Sequence, residues 1–113
     1  MKRGEIWLVN LDPTTGSEIR KQRPAVIVNR DSMGALPLKI VVPITGWRDQ
    51  FAKAAWLVPL EKDAKNGIVK KSAADTFQVR SVSEERLVER LGELGQQNMD
   101  QINKALALTL GLD

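Results

Sequence analysis

Arg23-Pro24-Ala25-Val26-Ile27-Val28-Asn29 sets a cation and a proline at the mouth of a short, unbroken apolar run. The run is dominated by β-branched residues and fits a buried strand. Pro24 biases Arg23 toward an extended backbone, so the guanidinium belongs to a strand entrance rather than a floppy tip.

The same reading extends in both directions. Upstream, Glu5-Ile6-Trp7-Leu8-Val9-Asn10-Leu11 is rich in strand formers, and Asp12-Pro13-Thr14-Thr15-Gly16 stops it by turn chemistry. Downstream, Asp31-Ser32-Met33-Gly34 reads as a turn. Leu38-Lys39-Ile40-Val41-Val42-Pro43-Ile44 reads as a third strand, with Pro43 suggesting an edge, a bulge or a strand end. A polar stretch runs from Thr45 to about Lys53. Ala54 to Leu60 is a fourth strand, Lys62 to Gly67 a loop, and Ile68-Val69 and Thr76-Phe77-Gln78-Val79 further short strands. Ser83-Glu84-Glu85-Arg86 can cap and open a brief helical turn. Leu87 to Leu94 fits strand or helix equally well.

The last segment carries a helical period. Met99, Ile102, Leu106 and Leu110 share a face, flanked by Ala105 and Leu108, with Asn98 or Asp100 as the cap candidate. Short strands, turns and one terminal helix give a mainly β fold with a C-terminal α-helix. The expected form is a small, curled antiparallel sheet or barrel, as a single domain over residues 1–113, with the helix covering an open side.

Composition narrows the chemistry. The 113 residues fit one domain, and a hydrophobic fraction of 42% supports one core. Cysteine is absent, which removes disulfides and thiolate metal sites and asks for no oxidising compartment. Met1-Lys2-Arg3-Gly4-Glu5 turns acidic before an apolar segment can start, and no apolar run reaches membrane-span length. A cytoplasmic protein is therefore expected. A net charge of +3 permits a polyanionic partner without demanding one. Histidine is also absent, so acid–base work near neutral pH falls to carboxylates, lysine, or a placed arginine or hydroxyl. Zinc loses its usual nitrogen and sulfur ligands at once, and no cofactor or metal is expected.

Three segments can carry chemistry. Gly16 to Pro24 gathers Arg20, Lys21, Arg23, Glu18 and Ser17 in one loop before a buried strand. A guanidinium fixed there can fork onto two phosphate oxygens. Composition alone leaves an ordinary reading open, in which Arg23 pairs with Glu18 or Asp12 and solvates a loop. In Pro43-Ile44-Thr45-Gly46-Trp47-Arg48, Thr45 can donate to a phosphate oxygen and Trp47 can stack on an unpaired base, or fill part of the core. Trp7 and Trp56 lie inside the expected strands and are assigned to packing. In Asp75-Thr76-Phe77-Gln78-Val79-Arg80-Ser81, Gln78 and Arg80 share a face if the segment is a strand. That face can meet a ligand groove or water. Phosphate-loop, dinucleotide and serine-elbow motifs are absent, and the carboxylates are too scattered for a two-metal nuclease.

Read together, these segments resemble a known family. Arg3-Gly4-Glu5-Ile6-Trp7-Leu8-Val9-Asn10-Leu11-Asp12-Pro13-Thr14, Gly16-Ser17-Glu18 with Arg23-Pro24-Ala25-Val26-Ile27-Val28, Val42-Pro43-Ile44-Thr45 and Gln78-Val79-Arg80-Ser81-Val82 resemble the motifs of the MazF/PemK toxins, in order and at similar spacing. The resemblance implies a compact SH3-like β-barrel with a C-terminal helix, acting as a homodimer. It implies metal-free cleavage of single-stranded RNA at short sequences, and inhibition by a cognate antitoxin that lays an extended acidic tail across the RNA groove. It matches the family's catalytic arginine to Arg23 and its threonine to Thr45. Its loop glutamate falls on Glu18, and Ser17 stands where some members carry histidine. Ser17, Arg20, Lys21, Trp47, Gln78 and Arg80 are the expected RNA-binding residues. The chain departs from the family where Phe77 precedes Gln78, a position many members fill with an acid. Asp75 is near but out of register, and Lys71 is the nearest upstream cation.

The expected reaction is attack of the substrate's own 2′-hydroxyl, giving a 2′,3′-cyclic phosphate and a 5′-hydroxyl end. Arg23 stabilises the phosphorane, Thr45 donates to a non-bridging oxygen, and Glu18 is the available base. A non-catalytic toxin on the same fold, of the gyrase-binding CcdB type, and an RNA-binding barrel without catalysis are the other classes open to this sequence.

Overall fold

The computed structural model describes residues 1–33 and 35–113. Gly34, the last residue of the turn expected at Asp31–Gly34, lies outside the described residues. Among those described, the strands are β1 (Glu5–Asn10), β2 (Gln22–Ile27), β3 (Leu38–Gly46), β4 (Leu57–Leu60), β5 (Ser72–Asp75), β6 (Arg80–Ser83) and β7 (Leu87–Glu93), followed by the helix α1 (Gln96–Leu110). All pairings are antiparallel. The 7-stranded sheet runs β4-β5-β3-β2-β1-β7, with β6 beside β3.

The run at residues 25–28 reads as unbroken because both of its faces are buried. Val26 and Val28 join Val42 and Ile44 in one apolar cluster, with Ile6, Leu60 and the helix residues Met99, Ile102 and Ala105. Ala25 and Ile27 point the other way, into a second cluster with Val9, Leu11, Val41, Val82 and Leu87. A strand between two cores loses the polar alternation of a half-exposed one.

β3 connects the sheet. Leu38 to Val41 pair with β6, whereas Ile44 to Gly46 pair with β5. Pro43 falls between these two partners, opposite Ala25 of β2. It is thus neither an edge nor a strand end: it marks the point where one flank of the strand changes neighbour, and where a missing N–H is tolerated.

The two ends of the strand path, β4 and β7, meet through a loop rather than a ladder. Glu93 N–H donates to the Lys65 carbonyl at 3.0 Å. The fully buried Asn66 shapes this loop: its amide donates to the Glu61 carbonyl at 2.9 Å and its oxygen accepts from Ile68 N–H at 2.9 Å. Asp63 accepts from the N–H groups of Lys65 and Asn66, both at 2.8 Å. The backbones cross at glycines. A Cβ on Gly92 would lie 2.3 Å from the Lys65 carbonyl oxygen, and one on Gly67 2.3 Å from that of Leu91.

Several expected elements differ. Ile68-Val69 is not a strand, because Asn66 turns the backbone there. Thr76–Gln78 is a 3-10 turn rather than a strand, capped by Asp75, which accepts from Phe77 N–H at 3.1 Å. The strand in that region is Ser72–Asp75 instead. The fourth strand starts at Leu57, which leaves Trp56 43% exposed and edge-on to Phe77 rather than packed in the core. Leu87–Glu93 resolves as strand. Ser83 caps the short turn at Glu84–Arg86 as its sequence suggests. The helix begins at Gln96 with Gly95 at its N-cap, so neither Asn98 nor Asp100 caps it. Its buried stripe is Met99, Ile102 and Ala105, whereas Leu108 and Leu110 are exposed.

The glycine crossing gives a direct test. Gly92→Ala forces a Cβ into backbone and should lower unfolding stability by about 3 kcal/mol. Gly95→Ser has open space and gains a capping oxygen, so stability should stay level or rise by a few tenths of a kcal/mol in the same urea titration.

Candidate active site

Arg23 and Thr45 come together through strand register. β2 pairs with β3 as Ala25↔Pro43, Val26↔Val42 and Ile27↔Val41. Continuing the same register by two residues sets Arg23 opposite Thr45, on the face that carries Ala25 and Pro43. The two residues line one pocket of about 360 Å³, together with Gly46, Lys70 and Ser72.

The Arg23 guanidinium is exposed and makes no hydrogen bond or ion pair among the described residues. The pairings that would make it an ordinary loop cation do not form. Asp12 accepts from Lys21 N–H at 2.9 Å and from the Thr14 hydroxyl at 3.4 Å. Glu18 accepts from Thr15 N–H at 2.9 Å, closing a turn in which Glu18 N–H donates back to the Thr15 carbonyl at 3.2 Å. Both carboxylates hold backbone, and the cation keeps its charge available.

A second pocket has a volume of about 550 Å³. Ser17, Glu18, Pro43, Gln78 and Arg80 line it. Pro43 precedes Thr45 by two residues on β3 and points to the same side of that strand, but the two pockets share no lining residue. Glu18 lines this pocket and not the one that holds Arg23 and Thr45.

Gln78 and Arg80 share that second pocket, but not as neighbours on a strand face. Gln78 lies in the 3-10 turn, where its side-chain oxygen accepts from Ile19 N–H at 2.6 Å and its amide donates to the Ser17 carbonyl at 3.3 Å. Arg80 donates to the Leu11 carbonyl at 3.1 Å. Both side chains tie the loop between β1 and β2 to the opposite corner of the sheet. Ile19 packs on the second core and anchors the loop from within. Arg86, which no motif singles out, adds bonds to the carbonyls of Asn10 and Asp12.

Arg20 and Lys21 are exposed and line neither pocket. Lys21 adopts φ 66°, a left-handed conformation that a lysine rarely takes. Its N–H bond to Asp12 and the bond from Leu11 N–H to its carbonyl, at 2.9 Å, hold it there. Trp47 is half-buried at the end of β3, with the Lys71 ammonium 4.5 Å above its ring and Phe51 edge-on at 5.9 Å. Lys71 also pairs with Glu61 at 3.6 Å. Lys70 is the residue that sequence reasoning missed: it reaches the Arg23–Thr45 pocket while its neighbour Lys71 turns away. Nothing in the local pattern separates two adjacent lysines.

Asp75 lines a separate pocket with Phe51, Lys53 and Trp56. Burial pushes its carboxyl above the usual aspartate range, and the hydrogen bonds it accepts from Phe77 and Gln78 oppose this only in part. No three of His, Cys, Asp and Glu gather as metal ligands among the described residues.

The comparisons with known proteins agree on one family. The model for the PemK-like, MazF-like toxins of type II toxin–antitoxin systems matches residues 2–110. The chain is similar to endoribonuclease MazF9 of Mycobacterium tuberculosis, 36% identical over 118 residues covering 99% of this chain and 98% of the relative. It is also similar to endoribonuclease MazF of Staphylococcus saprophyticus, 37% identical over 113 residues covering 99% and 92%. Among solved structures, MazF of Deinococcus radiodurans superposes with a TM-score of 0.81 at 20% identity, over 98% of this chain and 96% of that one. A MazE–MazF complex from the same organism gives 0.76 at 22% identity, over 100% and 97%. At such identities these two structures speak for the fold alone.

Asp75 supplies a test of the electrostatics of its own pocket. A raised carboxyl pKa favours the neutral form in the folded state. Its stabilising effect is full below the ordinary aspartate value and is lost as pH rises through the raised one. Asp75→Asn keeps an acceptor for Phe77 N–H and cannot ionise. Urea unfolding across weakly acidic pH should show a flatter stability profile for the variant than for the wild type; parallel profiles would contradict the assignment.

Proposed function

The chain belongs to the PemK-like, MazF-like toxins of type II toxin–antitoxin systems, and on that premise we propose that residues 1–113 form one toxin domain that cleaves single-stranded RNA at short sequences without a metal. The observation that carries the proposal is Arg23: a guanidinium with no partner among the described residues, facing a pocket it shares with the Thr45 hydroxyl.

The chemistry follows from what a phosphodiester needs. The 2′-oxygen attacks phosphorus, the bond from phosphorus to the 5′-oxygen breaks, and that oxygen takes a proton from solvent water, so that a 2′,3′-cyclic phosphate and a 5′-hydroxyl result. Between these states the phosphate gains charge on its non-bridging oxygens. Arg23 forks onto that charge, and Thr45 donates one further hydrogen bond. Arginine holds its proton too tightly to be a good acid, so stabilisation of charge is the role assigned to it. Glu18 is the assigned acceptor of the 2′-hydroxyl proton. One of its oxygens is held by Thr15 N–H, and the other makes no hydrogen bond among the described residues.

The second pocket, with Ser17, Gln78 and Arg80, receives the nucleotides beside the cut, and Arg20 and Lys21 follow its lining residue Ile19 along the loop. At Trp47 the Lys71 ammonium covers one face of the ring. The same cationic groove suits an antitoxin with an extended acidic tail, which competes with RNA for it. We assign the protein to the cytoplasm as a homodimer. No described helix is long and apolar enough to cross a membrane.

Two measurements test this reading. RNA cut by the purified protein in EDTA should carry 5′-hydroxyl ends, and an oligonucleotide with a 2′-deoxy sugar at the cut should survive. Efficient cleavage of that substrate would sink the mechanism. Arg23→Ala should lower the cleavage rate at least about 100-fold with unfolding stability unchanged; an unaltered rate would move the active site elsewhere.

A further inference from the structure

A second cation stands in the pocket of Arg23 and Thr45. The Lys70 side chain lies across the bare backbone of Gly46: a Cβ at that glycine would be 3.4 Å from both Cε and Nζ of Lys70. The ammonium is therefore held against the residue that follows Thr45. No aspartate or glutamate lines this pocket among the described residues. Lys70 makes no ion pair among them either, whereas Lys71 is taken by Glu61 and the Trp47 ring.

The backbone beneath Lys70 is fixed from both sides. Its carbonyl accepts from the Ser72 hydroxyl at 2.9 Å, and Ser72 opens β5 opposite Gly46. Upstream, buried Asn66 and the crossing of Gly67 over Leu91 set the path of the loop. An exposed lysine on a mobile loop is a solvated charge. A lysine on an anchored loop, laid across a glycine into an acid-free pocket, is placed to meet an anion.

We propose that Lys70 is a further catalytic residue, whose ammonium binds a non-bridging oxygen of the scissile phosphate beside Arg23 and Thr45; this rests on reading their pocket as the RNA-cleaving site. The phosphorane carries more negative charge than the phosphodiester it comes from. A compact ammonium complements the planar guanidinium, because it supplies charge to one oxygen without competing for the fork's geometry. Gly46 then has a functional reason to lack a side chain: it gives Lys70 its route to the phosphate.

The test compares Lys70→Met with Lys71→Met in the full chain, since each removes one charge at adjacent positions. Lys70→Met should lower kcat for RNA cleavage about 100-fold, with Lys70→Arg recovering part of it and Lys71→Met staying within about threefold of wild type. Binding of an uncleavable 2′-O-methyl RNA oligonucleotide gives a second readout independent of turnover. The slope of log affinity against log salt should shrink by about 0.7 for Lys70→Met, the loss of one phosphate contact to a single strand, and stay unchanged for Lys71→Met. Wild-type kcat and slope in Lys70→Met, or equal losses in both variants, would overturn the proposal. A wild-type protein that cleaves no RNA would remove the ribonuclease reading, while the salt slope would still decide whether Lys70 meets a phosphate.

Discussion

The antiparallel register between β2 and β3 is the constraint on which the site depends. With Ala25 opposite Pro43, side chains two positions further along each strand, Arg23 and Thr45, fall on the same face and on adjacent strands. A slip of one residue would turn Arg23 toward the cluster of Val26 and Val42, where an unpaired charge is costly. Burial on both faces of these strands makes such a slip expensive. The two cores thus fix the position of a polar pair that neither core contains.

A second feature concerns where the carboxylates are used. Asp12, Glu18 and Asp63 each accept backbone N–H groups in loops. A carboxylate bonded to backbone shapes a loop as an uncharged acceptor would, but its position is fixed away from nearby cations. Arg23 and Lys70 consequently make no ion pair among the described residues. An exposed ion pair such as Arg90 with Glu93, at 3.6 Å, lies on another element. Such surface pairs contribute little stability.

Much of this was legible in the sequence, and the misses have physical causes. Glu5 to Asn10, the run from Ala25, the run from Leu38 and the terminal helix were clear because burial on defined faces imposes apolar patterns. Thr76 to Val79 has strand-like composition, yet the Asp75 side chain captures Phe77 N–H and bends it into a turn. Asn66 overrode Ile68-Val69 in the same way, through side-chain bonds that propensity does not register. Arg23 and Thr45 were found through motif resemblance; their shared face was visible only once the register was known. Gln78 and Arg80, expected to bind RNA, line one pocket, and their bonds to Ser17, Ile19 and Leu11 make them anchors of its wall. Lys70 was missed because its placement depends on Gly46, which is 24 residues away in the chain.

The central claim is that Arg23 and Thr45 act on one phosphate as a unit. A double-mutant cycle on RNA cleavage, with Arg23→Ala, Thr45→Val and the two combined, tests it most directly. If both groups stabilise the same transition state, the double variant will be little slower than Arg23→Ala alone. Losses that multiply as independent factors would contradict a shared phosphate and separate the two residues in function.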